Sequence, residues 1–161
     1  MRKTSFPPVV DANTRLLILG SLPGDASLAA AQYYAHPRNQ FWRLLSALGA
    51  VELTELAYPQ RLAALQALGI GLWDVVASAQ RRGSLDSDIR EVAFNPLTEL
   101  LATLPALQAV AFNGKTAAKA APTLAASGLD ILLLPSSSPA LTTPFEKKLA
   151  QWQVLGRYIL Q

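Results

Sequence analysis

Leu16-Leu-Ile-Leu-Gly20 is an unbroken apolar run that stops at a glycine, and Ser21-Leu-Pro-Gly24 follows it at once. A short apolar run with turn-formers at its end fits a β-strand buried on both faces, because neither face is kept polar for water. Gln108-Ala-Val-Ala-Phe-Asn113 and Asp130-Ile-Leu-Leu-Leu-Pro135 have the same character. Gly71-Leu-Trp-Asp-Val-Val76 is a weaker fourth run, flanked by Gly69 and by the polar stretch Ser78 to Ser84. Together they predict a small, mostly parallel sheet.

Helical periodicity fills the intervals. Phe41, Leu44, Leu45 and Leu48 fall at i, i+3, i+4 and i+7, and Leu97, Leu100, Leu101 and Leu104 repeat the spacing, so each set marks one apolar helix face. Thr143-Pro-Phe-Glu146 reads as a capping box with a first-turn proline, and Phe145, Leu149, Trp152 and Ile159 supply the stripe of a last helix. The Ala-rich stretch Ala117 to Ala126 is expected as one ordinary helix. Strands alternating with helices predict a three-layer α/β/α sandwich around a mostly parallel four-stranded sheet, with right-handed crossovers and functional loops at the carboxyl ends of the strands. No repeat or linker interrupts the pattern, so residues 1–161 are expected to form one domain.

Composition narrows the chemistry. The 161 residues include no cysteine and one histidine, which excludes disulfides, thiolate zinc sites, iron–sulfur clusters, a cysteine nucleophile and a His-rich metal centre. A formal charge of +3 suits a polyanionic partner without identifying one. The N-terminal Met1-Arg-Lys-Thr-Ser-Phe-Pro-Pro8 has no apolar segment behind its basic residues, and no stretch reaches the roughly 18 uninterrupted apolar residues of a membrane span. A soluble, intracellular protein is expected.

Gly20-Ser-Leu-Pro-Gly24 follows the first strand and Ser136-Ser-Ser-Pro-Ala140 the last, so in a parallel sheet both open on one edge, within reach of one ligand. Together with Tyr34-Ala-His-Pro-Arg-Asn-Gln-Phe-Trp42, Gly71-Leu-Trp-Asp74 and Phe112-Asn-Gly-Lys115, these segments resemble the uracil-DNA glycosylase superfamily in order and spacing from about Leu16 to Ala140. The Gly-Ser-Leu-Pro-Gly and Ser-Pro-Ala forms are most similar to the hypoxanthine-DNA glycosylase branch. The resemblance implies a monofunctional enzyme that flips a deaminated base, preferably hypoxanthine, out of duplex DNA and hydrolyses its N-glycosidic bond, with uracil or mismatch excision, or silent binding of damaged DNA, as the alternatives. It implies no cofactor and no metal, a monomer acting on double-stranded DNA with no membrane partner, and a cytoplasmic location, at the nucleoid in a prokaryote.

Residue roles carry over by position. In the mismatch-specific branch a water-orienting asparagine precedes Pro-Gly, but here Leu22 stands there and can neither donate nor accept a hydrogen bond. In the hypoxanthine branch the catalytic assignment falls on the asparagine matching Asn39, whose amide is too weak a base to ionise water and would position it at the anomeric carbon. Ser21, Leu22, Gly24, Tyr34, His36 and Asn113 would surround the base, with Tyr34 stacking on it and backbone N–H groups near Ser21 and Gly24 meeting its carbonyl. Ser136, Ser137 and Ser138 would hold phosphates, and with Pro139 and Ala140 the late loop would fill the duplex gap. Monofunctional action follows from the lack of lysine in Gly20–Gly24 and Tyr34–Trp42, Lys115 being the nearest amine.

Each residue also has a plainer role. Asn39 precedes a helical stripe and can be its N-cap, His36 can brace the turn before Pro37, and Tyr33 and Tyr34 can be core aromatics. Asp74 ends an apolar run and can be a buried carboxylate that caps a neighbouring loop, while a carboxylate general base there is the natural rival to Asn39. Arg81, Arg82 and Arg90 can meet phosphate or belong to a solvated loop. Asn113-Gly-Lys-Thr116 imitates a P-loop tail, but Ala109 stands where that motif needs a glycine. A serine nucleophile at Ser137 or Ser138 lacks the Gly-x-Ser-x-Gly elbow.

Overall fold

A computed structural model describes residues 2–49 and 51–159. In chain order its regular elements are β1 (Arg2–Thr4), β2 (Leu16–Gly20), α1 (Asp25–Ala30), α2 (Phe41–Gly49), α3 (Tyr58–Ala67), β3 (Ile70–Asp74), β4 (Val76–Gln80) and β5 (Arg90–Phe94). Then come α4 (Leu97–Leu101), β6 (Ala109–Asn113), α5 (Lys115–Ala118), β7 (Asp130–Leu134) and α6 (Phe145–Trp152), with short 3₁₀ turns between and after them.

The apolar run that opens the chain's pattern is the second strand of a four-stranded, all-parallel sheet of order β3-β2-β6-β7. All five residues of β2 are buried, as are those of β3 and β6. Because side chains alternate along a strand, Leu16 and Ile18 join Phe41, Leu44 and Trp152 on one face. Leu17 and Leu19 join Leu97, Phe112 and Ala117 on the other. Helices α2, α3 and α6 therefore cover one side and α4 and α5 the other, giving the predicted three layers. Each fully buried Leu or Phe contributes about 1.5–3 kcal/mol, which makes this sheet the rigid part of the molecule.

Several elements depart from the expectations. Asp130–Leu134 is an edge strand, largely uncovered, with Leu133 65% exposed, because no strand lies beyond it. The supposedly polar region after β3 is a second, antiparallel sheet of order β1-β4-β5. All of β5 is exposed and its register against β4 is broken, with Glu91 at φ 52°, so no clean alternation marks it. The Ala-rich stretch is not one helix: Pro122 lacks a backbone donor, and the chain forms α5 and then a 3₁₀ turn over Ala121–Leu124. The Leu97 helix stops at Leu101, although Leu104 is still buried.

The last helix starts at Phe145, capped by Pro144 with no side-chain cap bond, so the capping box at Thr143 does not form. It also ends at Trp152 in a 3₁₀ turn, and Ile159 reaches the core beyond that turn and not along the α-helical stripe. No helix among the described residues is long and apolar enough to cross a membrane. What matters for chemistry is the carboxyl edge of the parallel sheet, where Gly20 pairs in register with Asp74 and Asn113 with Leu134.

Candidate active site

A cavity of about 840 Å³ opens at that edge, within the range of about 300–1,000 Å³ that holds small ligands. Every residue nominated above lines it, from Ser21, Leu22 and Gly24 through Tyr34, His36 and Asn39 to Asn113 and Ser136–Ala140. Tyr34, His36 and Asn39 also line a neighbouring pocket of about 640 Å³ that contains Arg43 and Arg61.

The two strand-end loops are clamped by buried polar pairs. Asn113 Nδ2 donates to Ser137 Oγ at 2.9 Å, and the Ser137 N–H donates to Asn113 Oδ1 at 2.9 Å. Gly114, at φ 99°, lets the chain turn beneath Ser136, whose Cβ would stand 3.1 Å from any Cβ added there. Ser137 is buried, while Ser136 Oγ accepts from the Ser138 N–H and Ser138 Oγ from the Ala140 N–H. The serine loop is thus held by its own hydroxyls, with Ser136 and Ser138 the more open ones. Lys148, 1% exposed, donates to the Ser138 carbonyl at 3.1 Å, and its burial pushes the ammonium pKa down. Nothing in the helical pattern distinguishes Lys148 from an exposed lysine, so the sequence reading missed it.

The aromatic segment is equally constrained. Tyr34 lies at φ 53°, a conformation costly for a bulky residue and found where surrounding contacts enforce it. Its ring stacks on Phe41 at 3.8 Å with an interplanar angle of 11°, and its carbonyl accepts from Trp42 Nε1 at 3.2 Å. One ring face is therefore occupied by protein. Tyr33 is a core residue, its hydroxyl donating to the Pro7 carbonyl at 2.9 Å.

Asn39 Oδ1 accepts from the Phe41 N–H at 3.0 Å, so Asn39 braces the start of α2 from one residue before the capping position, which Gln40 occupies. The bond does not exhaust the amide: a second lone pair and both N–H groups of Nδ2 remain. His36 is exposed, and its Nδ1 accepts from the Arg38 N–H at 3.1 Å. That bond braces the turn and leaves Nε2 as the donor.

Leu22 brings no polar group to the loop, and its side chain packs with Val76, Ala79 and Ile89 against the small antiparallel sheet. Arg81 does not meet solvent or phosphate: it is 2% exposed and donates to the carbonyls of Pro23 and, at 2.8 Å, Gly83. Lys3 joins it, bonding Asp25 at 2.5 Å and the Gly83 carbonyl. These buried cations fix the loop after β4 against Gly20–Gly24. The first-loop hydroxyl is also engaged, Ser21 Oγ donating to Asp86 Oδ1 at 2.7 Å.

The remaining polar group on the cavity floor is Asp74, 4% exposed. A Cβ on Gly20 would lie 2.6 Å from Asp74 Oδ1 and 2.9 Å from the Tyr34 hydroxyl, so only glycine admits both groups over the end of β2. Asp74 Oδ2 and the Tyr34 hydroxyl are buried without hydrogen-bond partners. Burial, reinforced by the charge of Asp86 and opposed by Arg81, pushes the Asp74 carboxyl up to about 7. Burial, then Asp74, pushes the Tyr34 phenol up as well. Among the described residues no group of histidine, cysteine, aspartate and glutamate is arranged to hold a metal ion.

Comparison with known proteins places this geometry. The chain is 43% identical over 152 residues to a Methanosarcina barkeri protein named hypoxanthine DNA glycosylase, covering 94% of this chain and 96% of the relative. It is 39% identical over 158 residues to a Methanosarcina acetivorans protein of the same name, covering 98% and 100%. A solution NMR structure from Methanosarcina acetivorans, assigned provisionally as a uracil DNA glycosylase, superposes with a TM-score of 0.89 at 39% identity over 98% of each chain. Residues 7–156 match the family described as the uracil DNA glycosylase superfamily, and with four motif segments and the serine loop converging on one cavity, the chain belongs to that superfamily.

Proposed function

We propose that this protein is a monofunctional DNA glycosylase that hydrolyses the N-glycosidic bond of hypoxanthine in DNA. The observation that carries the reading is the coincidence of near-full-length relatives named for that activity with a cavity in which this chain's motif segments meet. The deoxyinosine nucleotide rotates out of the duplex, and its base enters between the Gly20–Gly24 and Ser136–Ala140 loops. Phe41 covers one face of Tyr34, so stacking on the base would use the other. Asn39, anchored through Phe41, uses its free lone pair to hold a water at C1′. Ser136 and Ser138 face the phosphates, and Leu141, 38% exposed beside them, is an apolar group that can fill the vacated stack. The partner in this reading is duplex DNA, bound by one copy of the chain in the cytoplasm, at the nucleoid in a prokaryote.

The test is incubation of purified protein with duplexes carrying hypoxanthine, uracil or xanthine, followed by alkaline cleavage at abasic sites. Strand scission at hypoxanthine, exceeding that at uracil, is expected. Scission at uracil alone shifts the reading to a uracil or mismatch enzyme, and tight binding with no scission at any base makes the protein a silent binder. Lys115 lines the cavity but is exposed, so borohydride is expected to trap no covalent DNA complex.

A further inference from the structure

We propose that Asp74 is the general acid of the reaction, donating its carboxyl proton to N7 of the departing purine. The inference rests on the hypoxanthine reading above and adds to it the group that activates the leaving base. Asn39 holds water, but nothing in that assignment assists departure of the base.

The geometry singles out Asp74. It ends β3 in register with Gly20, its carboxyl lies over the glycine beside the Tyr34 hydroxyl, and it faces the cavity that takes the base. It is 4% exposed, Oδ2 has no hydrogen-bond partner, and no salt bridge reaches it among the described residues. The backbone carbonyl of Asp74 accepts from Asn95 Nδ2 at 2.7 Å, which fixes the strand end while leaving the side chain unengaged. A structural aspartate at this depth would be expected to have a cation or backbone N–H groups around its carboxylate.

The charged and titratable groups facing it are Asp86 from the loop after β4, Arg81 from the same segment, and Tyr33 and Tyr34 from the segment before α2. Asp86 opposes ionisation, and Arg81, the cation that favours it, spends Nε on the Gly83 carbonyl and Nη2 on the Pro23 carbonyl, with Nη1 buried and making no hydrogen bond to Asp74. A carboxyl so placed keeps its proton up to about neutrality, and its protonated form presents a donor to the cavity.

Purines offer such a donor an acceptor that uracil lacks. In the step, the Asp74 O–H bond breaks and the proton bonds N7, while the C1′–N9 bond breaks with its electron pair entering the ring, so hypoxanthine leaves as its neutral N7–H tautomer. The water held by Asn39 bonds C1′ and releases a proton to solvent, and the Asp74 carboxylate regains one from solvent. No other reactant is required.

Single-turnover release is compared for the wild type and Asp74→Asn on duplexes containing hypoxanthine and 7-deazahypoxanthine, in which C–H replaces N7. Asp74→Asn is expected to slow hypoxanthine release about 100-fold or more, with duplex affinity unchanged. On the 7-deaza duplex, wild type and variant are expected to be equally slow. The wild-type rate on hypoxanthine is expected to fall as pH rises through about 7, and the variant's not to. Equal slowing by Asp74→Asn on both duplexes, rapid release of 7-deazahypoxanthine by the wild type, or a rate that climbs through pH 7 as for a general base would each overturn the assignment. These results leave the hypoxanthine reading intact, whereas a wild type that releases no hypoxanthine at any pH removes both.

Discussion

Replacing Asp74 with asparagine is expected to stabilise the protein in alkali while leaving its stability in acid almost unchanged. The carboxyl is buried with one oxygen unpartnered, so folding carries it from an ordinary pKa of 3.8 in the unfolded chain to about 7. Between those values the unfolded chain has lost a proton that the folded chain retains. The folded state binds more protons, so stability falls as pH rises through this window and levels off above about 7. A shift of that size corresponds to about 4 kcal/mol, of which about 3 kcal/mol falls between pH 5 and pH 8. Asparagine has nearly the same shape and no charge, so the variant lacks this dependence. Urea denaturation of both proteins across pH 4–9 measures it directly: the variant's advantage should grow from near zero in acid to a few kcal/mol at pH 8, with equal denaturant slopes. An advantage that is constant with pH, or that shrinks as pH rises, would mean that the carboxylate is stabilised in the fold, and the account of the cavity floor would fail.

Other perturbations probe neighbouring parts of the site. Gly20→Ala places a Cβ 2.6 Å from Asp74 Oδ1 and 2.9 Å from the Tyr34 hydroxyl, so about 1–3 kcal/mol of destabilisation by urea melts and a loss of base release beyond tenfold are expected. Asn39→Ala should slow base release by about 100-fold or more and weaken folding by about 0.5–2 kcal/mol, because water positioning and the bond from the Phe41 N–H are both lost. Asn39→Asp keeps an oxygen acceptor both for that N–H and for the water, and should recover the stability together with much of the rate. Arg81→Met leaves the Pro23 and Gly83 carbonyls without its donors and is expected to cost about 2–3 kcal/mol. It also removes the positive charge that lowers the Asp74 pKa, so the alkaline fall of the rate should move to higher pH.

How much of this could be read from the chain differs by element for physical reasons. β2 and β6 were legible because a strand covered on both faces must be apolar throughout, and no other element makes that demand over so few residues. Asp130–Leu134 carries the same pattern yet is an edge strand, since hydrophobicity reports what could be covered and not whether a neighbour covers it. β5 was invisible because an exposed, bulged strand needs neither alternation nor β-branched residues. In the site, the motif segments identified the lining residues, but spacing could not tell which polar atoms remain unpartnered. Leu22 reads as a lost functional group until its packing against Val76 and Ala79 is seen. Asp74 reads as a rival general base, and only the structure shows an unpartnered, buried carboxyl, because its isolation depends on Gly20 and Tyr34 arriving from elsewhere in the chain.

Leu22 and Asp74 bear on the same chemical problem. With an apolar side chain packed against Val76 and Ala79 at position 22, the proposed mechanism leaves the amide of Asn39 to orient water, and an amide cannot take its proton. A barrier that is not lowered on the side of the nucleophile can be lowered on the side of the leaving group, where each 1.4 kcal/mol is worth about tenfold in rate. For uracil that means stabilising an anion, but a purine can leave neutral if N7 is protonated first. A donor for N7 must keep its proton at neutral pH, and a carboxyl does so only when burial and a nearby negative charge oppose its ionisation, the conditions that Gly20, Tyr34 and Asp86 create around Asp74. Those conditions oppose folding in alkali, so a substitution that relieves them should gain stability and lose base release together. A variant at position 74 that gained both would separate the two effects and break the link.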